Sequence, residues 1–174
     1  DRRNIAGYLD LEARFAEAIT LGAAVRAEHY SDFGEIVTGK LSARFDLAPW
    51  IALRGTASTG FRAPSLQQQY FTSTASVFVA PNIIETGTFP SVSPVAAALG
   101  GVALRPEKST NLSAGTVIRA GGFSLTVDGY WIRIRDQLGL SENITLSTAQ
   151  QAQYGVQAAR FFLNGLRSTT KGIE

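Results

Sequence analysis

Ala57-Ser58-Thr59-Gly60-Phe61-Arg62-Ala63-Pro64-Ser65-Leu66-Gln67-Gln68-Gln69-Tyr70 is where one kind of chain gives way to another. Up to Thr59 the residues alternate, with Arg54, Thr56 and Ser58 on one face of a run that starts at Trp50. A strand sends successive side chains to opposite faces, so this run reads as a two-sided strand. Gly60 and Pro64 then break the rhythm, because glycine admits backbone angles others avoid and proline cannot donate to a ladder. From Gly60 to Ala103 the chain is rich in Ser, Thr, Gln, Pro, Val and Ala and holds almost no charge. A loop this long counts against a compact soluble domain. It suits a barrel with short turns at one end and long loops at the other.

Working outward, the alternation recurs. Ile5, Leu9, Leu11 and Phe15 fall on one face of Asn4 to Phe15, with Asp10, Glu12 and Arg14 on the other. Leu21 to Tyr30 and Ile36 to Leu47 repeat the pattern, as do Asn111 to Ala120 and the start of Phe123 to Asp136. Past Gly129 this last register would put Arg133 and Arg135 on the apolar face. A bulge at Gly129 is the favoured remedy; the alternative is that this end rises beyond the apolar zone. Arg160 to Asn164 reads as a short strand and Thr169 as the start of another. Pro94 to Leu99 and Thr148 to Gln157 are the helix candidates. The expectation is an all-β, antiparallel up-and-down meander of about six to eight strands. Ala16–Thr20, Ala48–Pro49 and Gly121–Gly122 are short connections at one end; Ser31–Glu35, Gly60–Ala103 and Gln137–Ala159 lie at the other.

Composition narrows the function. Sixteen basic and fourteen acidic side chains in 174 residues nearly balance, so no large basic field points to nucleic acid. There is no cysteine, which excludes thiolate metal sites and cysteine nucleophiles, and the single histidine is His29. Neither a metal site nor a cofactor is expected. No apolar run approaches the roughly 18–20 residues of a membrane-spanning helix, which says nothing about a β-barrel. The start at Asp1, the lack of methionine and the abrupt close at Thr170 to Glu174 lead us to expect a piece of a longer protein.

Four phrases, in order, carry a resemblance: Gly60-Phe61-Arg62-Ala63-Pro64-Ser65, Arg105-Pro106-Glu107-Lys108-Ser109, Asp128-Gly129-Tyr130-Trp131-Ile132-Arg133-Ile134-Arg135-Asp136, and Thr170-Lys171-Gly172-Ile173-Glu174. Together they resemble the C-terminal barrel of TonB-dependent outer-membrane receptors. The resemblance implies that residues 1–174 are a partial segment of a large transmembrane β-barrel of about twenty-two strands, without its plug domain and last strands. It implies a place in the outer membrane of a Gram-negative bacterium, with lipid on the apolar face. Its partners would be its own plug domain and, through that, the TonB complex. Its cargo would be a large scarce ligand: a ferric siderophore by default, or cobalamin, haem or an oligosaccharide. Alone, such a piece is expected to self-associate through its sheet edges.

Under that reading His29, Tyr30, Arg62, Tyr70 and Phe71 are candidate ligand contacts near the outer rim. A girdle, turn or strand-exit role competes for each. Arg14, Arg26, Arg44 and Arg54 would line the lumen and meet the plug, against the plainer role of a solvated polar face. Glu107 and Lys108 read as a charged pair at a strand start. Two other classes compete. A soluble all-β ligand-binding or adhesion module would pack its apolar face on a second sheet. A barrel lipase would need His29 as base, but Ser31 is too close in sequence and no nucleophile-elbow pattern occurs. We therefore expect no enzyme.

Overall fold

The computed structural model describes the backbone of residues 1–174 and every side chain but that of Val79. In chain order the elements are β1 (Asn4–Ala16), β2 (Ile19–Tyr30), β3 (Gly34–Ala48), β4 (Ile51–Arg62), α1 (Leu66–Tyr70), β5 (Ser73–Val79), β6 (Asn82–Phe89), α2 (Pro94–Ala98), β7 (Glu107–Ala120), β8 (Phe123–Leu140), β9 (Ile144–Thr145), α3 (Thr148–Tyr154) and β10 (Ala158–Ile173). The strands form one ten-stranded, mostly antiparallel sheet of order β1-β2-β3-β4-β7-β8-β10-β6-β5, with β9 paired to β10. The sheet does not close on itself. No helix is long and apolar enough to cross a membrane, a statement that bears on helices alone.

Two compact units divide the chain. The first comprises Asp1–Arg62, Lys108–Arg135 and Arg167–Glu174; the second comprises Ala63–Glu107 and Asp136–Leu166. In the first, the alternating residues form long ladders. Leu9 lies opposite Val25, Leu11 opposite Ala23 and Ala13 opposite Leu21. On the next strand Leu41 faces Ala23 and Phe45 faces Ile19. Matching apolar residues thus meet across every pair, and the opposite face carries the polar set. Register shifts occur between Arg14 and Ala16 and between Asp46 and Ala48, each beside a short turn. The apolar face is open: Ile5, Leu11, Phe15, Leu41 and Leu47 are all more than half exposed.

The second unit obeys the opposite rule. Val95, Leu146, Val156 and Ala159 form a buried cluster, with Phe89, Leu99 and Tyr154 packed against it. Its helices are short and tightly capped. Ser65 Oγ accepts from Gln68 N while Ser65 N donates to the Gln68 side chain, and Ser147 and Gln150 repeat this capping box. Gly155 ends α3 at φ 70°, a left-handed turn that glycine adopts without strain.

Several expectations change. The segment from Gly60 to Ala103 is not irregular: β4 continues to Arg62, and α1, a β5–β6 hairpin and α2 follow. Arg160–Asn164 and the strand from Thr169 are one continuous strand, β10, whose start runs parallel to β6 from Ala158↔Thr86 to Phe161↔Phe89. That pairing joins segments far apart in sequence, which alternation within either segment cannot report. There is also no bulge at Gly129. The β7–β8 ladder runs unshifted from Ala120↔Phe123 through Ala114↔Gly129 to Lys108↔Arg135. Arg133 and Arg135 therefore do share a face with Val127, Leu125 and Phe123. Glu107 and Lys108 are not a surface pair either: adjacent strand residues point to opposite faces, leaving Glu107 buried and Lys108 exposed. The Glu107 carboxylate accepts from Leu138 N at 2.7 Å.

Candidate functional site

On the polar face of the first unit four arginines are each held by a local acceptor. Register places Arg14 opposite Thr20, Thr20 opposite Arg44, and Arg44 opposite Arg54. Arg26 lies farther along, between Tyr8 and Thr38. Cations abreast repel one another unless neutralised, and the neutralisers are close. Arg44 Nη2 donates to Asp46 at 2.6 Å, and Arg26 Nε donates to Glu28 at 2.5 Å. Arg14 donates to the Glu17 carbonyl. Arg54 clasps Asp128 of β8 with two nitrogens, a bidentate geometry specific to guanidinium. Gly115 lies opposite Asp128, and a Cβ there would strike the Asp128 carboxylate and sit 2.6 Å from the Val127 carbonyl. Glycine at 115 is what leaves room for the pair. The structure therefore places all four arginines on one face, with Arg26, Arg44 and Arg54 in separate ion pairs and Arg14 on a backbone carbonyl, rather than in one anion-binding cluster.

At the opposite end of β2 an aromatic group gathers. Tyr30 stacks on Phe33 with centroids 4.4 Å apart and meets Phe61 edge-on at 5.9 Å. Arg2 lies 5.7 Å from the Tyr30 ring and 5.5 Å from Phe33, and its guanidinium also holds Asp32. Tyr30 Oη donates to the buried Glu28 carboxylate at 2.9 Å. His29, one residue away, belongs to the other face: it lies opposite Ile5 and Glu35, with Nδ1 4.0 Å from the Glu35 carboxylate. His29 and Tyr30 thus do not converge. Arg62 is the last residue of β4 and is exposed. Tyr70 closes α1 and Phe71 caps it; both are exposed and belong to the second unit. No three His, Asp or Glu side chains among the described residues converge as a metal would require.

Sequence reading passed over Arg2 and Phe61 as parts of the Tyr30 group, and Asp128 as the partner of Arg54. Asp128 is far from Arg54 in sequence, so only strand pairing reveals it. The Ser65 and Ser147 caps were readable, since Ser-x-x-Gln before a helical turn is the capping-box pattern. A concavity of about 730 Å³ lies on the apolar face, lined by Leu11, Phe15, Leu21, Leu41 and neighbouring small residues. It has almost no polar group to orient a ligand, and it is the shallow curve of an apolar sheet.

Comparison with known proteins agrees with this architecture. The family model described as TonB dependent receptor-like, beta-barrel matches residues 1–174. A search of curated proteins returns no match. Among solved structures, the siderophore receptor PirA of Pseudomonas aeruginosa superposes with a TM-score of 0.78 at 15% identity, covering 99% of this chain and 30% of that one. A variant of the ferric enterobactin receptor PfeA of the same organism, in complex with enterobactin, gives 0.78 at 13% identity, covering 99% and 24%. The hemophore receptor HasR of Serratia marcescens, in complex with its hemophore HasA and heme, gives 0.70 at 11% identity, covering 99% and 31%. The chain thus spans about a quarter to a third of the length of these receptors, and at such identities the likeness is one of fold.

Proposed function

Because the chain belongs to the TonB-dependent receptor β-barrel family, we propose that it is part of the barrel of an outer-membrane receptor in a Gram-negative bacterium. The receptor takes up a large, scarce ligand, with a ferric siderophore as the first candidate. The observation that carries this reading is the first unit's two faces. One presents exposed Ile5, Leu9, Leu11, Phe15, Leu41 and Leu47, and the other presents paired arginines. In water, exposing such an apolar face is unfavourable by roughly 25 cal/mol per Å². Against acyl chains that cost disappears, and the polar face is left to line a lumen.

On this reading residues 1–174 are a partial barrel domain, and the plug domain and TonB complex are the partners of the whole receptor. Arg14, Arg26, Arg44 and Arg54 face the lumen, where the ion pairs of Arg26, Arg44 and Arg54 and the Arg14 bond to the Glu17 carbonyl form a hydrophilic wall that a plug can contact. Ligand capture falls to the long connections. Tyr30 with Phe33, and Tyr70 with Phe71, offer aromatic faces to a flat or ring-bearing ligand; Arg62 offers charge; His29 contributes from the rim on the lipid side. The chain performs no chemistry on its cargo. Haem, cobalamin and oligosaccharide are the competing cargoes.

The test is made on the full-length protein that carries this chain. Its abundance in outer-membrane fractions is compared under iron limitation and iron sufficiency, followed by binding of ferric siderophores to the purified receptor. Induction by low iron with siderophore binding supports the reading. Indifference to iron with induction by a carbohydrate makes it a sugar receptor. Absence from the outer-membrane fraction sinks the transport reading.

A further inference from the structure

Five asparagines occur in the chain, and four of them precede a bulky apolar residue: Asn4-Ile5, Asn82-Ile83, Asn111-Leu112 and Asn143-Ile144. The fifth is Asn164-Gly165, in β10. Asparagine is open to attack on its side-chain carbonyl carbon by the backbone nitrogen of the next residue. A branched side chain on that residue hinders the attack, whereas glycine leaves the nitrogen open and the backbone free to fold back. By sequence, Asn164 is the reactive one of the five. In the fold it is firmly held. Its Oδ1 accepts from Arg105 N at 2.8 Å, and its Nδ2 donates to the Arg105 carbonyl at 2.8 Å and to the Asp136 carbonyl at 2.6 Å. Asn111, by contrast, reaches Ser58 and Ser109 only at 3.5 and 3.3 Å.

Both partners of this clamp suit it. Pro106 confines Arg105 to extended backbone, and there the N–H and C=O of one residue point the same way, so an amide pairs with them as a strand residue would. Asp136 has φ 54°, alone among the described non-glycine residues in being left-handed, and its carbonyl takes the third bond. The Arg105 guanidinium also donates to the Asp136 carboxylate at 3.1 Å. A carboxylate at 164 would have no proton to donate and would set an anionic oxygen against two carbonyl oxygens. We propose that Asn164-Gly165 is a spontaneous deamidation site that the clamp guards, and that its reaction keeps the clamp from re-forming. Ring closure requires the Asn164 side chain to rotate Cγ onto Gly165 N, and the three bonds fix it elsewhere. Once they open, Gly165 N attacks Cγ, the Cγ–Nδ2 bond breaks, and ammonia leaves with the proton from Gly165. Water then opens the succinimide to aspartate or isoaspartate, with no oxidant or reductant involved. Both products lack the two donor hydrogens, and isoaspartate also lengthens the backbone within β10. A transient opening thus becomes a permanent mark. The inference goes beyond ligand uptake and holds whatever the receptor carries.

The experiment incubates the full-length protein that carries this chain, folded and urea-unfolded, in mildly alkaline buffer. Peptide mass spectrometry follows deamidation at each asparagine. In the unfolded protein Asn164 is expected to react about ten-fold faster than Asn4, Asn82, Asn111 and Asn143, because only glycine leaves the attacking nitrogen unhindered. In the folded protein its rate should fall at least about ten-fold, since only the opened clamp reacts. Arg105→Pro removes the Arg105 N–H and should speed the folded-state reaction about five-fold, the worth of one hydrogen bond. Should that variant fail to fold, wild type in rising sub-denaturing urea replaces it, and deamidation should climb in step with hydrogen exchange at the Arg105 amide. In deamidated wild type, separated by its added negative charge, the Arg105 amide should exchange about ten-fold faster than in the intact protein. Equal reactivity of the five asparagines when unfolded, or equal rates at Asn164 folded and unfolded, overturns the inference. So does deamidation that ignores both Arg105→Pro and urea-driven opening. Exchange at Arg105 unchanged after deamidation overturns it as well, because the clamp would then tolerate the product.

Discussion

The two units of this chain treat apolar side chains in opposite ways. In the first, Leu11, Leu41 and Phe15 are 61%, 64% and 71% exposed; in the second, Leu146, Phe161 and Ala159 are 2%, 4% and 0% exposed. The difference is one of burial. The second unit has helices, a hairpin and loops that close over a core, as water requires. The first is a sheet whose apolar face is exposed among the described residues, so its stability depends on what covers that face. Hydrophobicity alone would not separate them; the geometry of burial does.

The comparison breaks most readily at Phe161. Replacing it by Ala in the full-length protein should cost the second unit about 3–5 kcal/mol through a cavity. Hydrogen exchange would show faster exchange across Asp136–Leu166 while β1–β4 keep their protection. Equal loosening of both would mean that the units do not open separately.

Leu41→Arg tests the other side. At the middle of a lipid-facing surface it should cost about 2–4 kcal/mol, read as a lower unfolding midpoint in lipid vesicles. Val102→Arg, at a position of similar exposure in the second unit, should stay within about 0.5 kcal/mol. Equal effects at the two sites would mean that Leu41 faces water.

Smaller effects sharpen the picture within each unit. Gly155→Ala should cost about 1 kcal/mol, because alanine must adopt the left-handed turn that ends α3. Proteolysis near Thr148–Tyr154 would report it, and unchanged resistance would show that the cap is dispensable. Asp128→Ala should lower the unfolding midpoint only slightly, since the Arg54 and Asp128 side chains remain 47% and 26% exposed and solvent screens the pair. A double-mutant cycle with Arg54→Ala measures the coupling. A value of several kcal/mol would mean that the pair is shielded from water, as a plug pressed against it would do.

Much of this was legible before any coordinates. Alternation placed β1 to β4 and the apolar and polar faces, and it put Arg14, Arg26, Arg44 and Arg54 together on the polar side. The helical turns were also readable, expected over Pro94 to Leu99 and Thr148 to Gln157 and found at Pro94–Ala98 and Thr148–Tyr154. The β5–β6 hairpin was missed because a low-charge stretch rich in Ser, Thr and Val resembles a loop in composition. The Gly129 bulge was expected because two arginines on an apolar face looked like a contradiction. They stand on the apolar side of one unbroken, unshifted strand.

By itself, then, the sequence determined which residues share a face, because side-chain direction in a strand follows from a local period of two. It determined where short turns fall, because Gly121–Gly122 and Ala48–Pro49 set their own backbone geometry. Only the tertiary structure decided that β6 runs parallel to β10, that Asp128 answers Arg54, and that Lys108 stands opposite Arg135. Each of these depends on which distant strand supplies the hydrogen bonds and in what register. That choice is made by the whole sheet at once, and no local window of residues contains it.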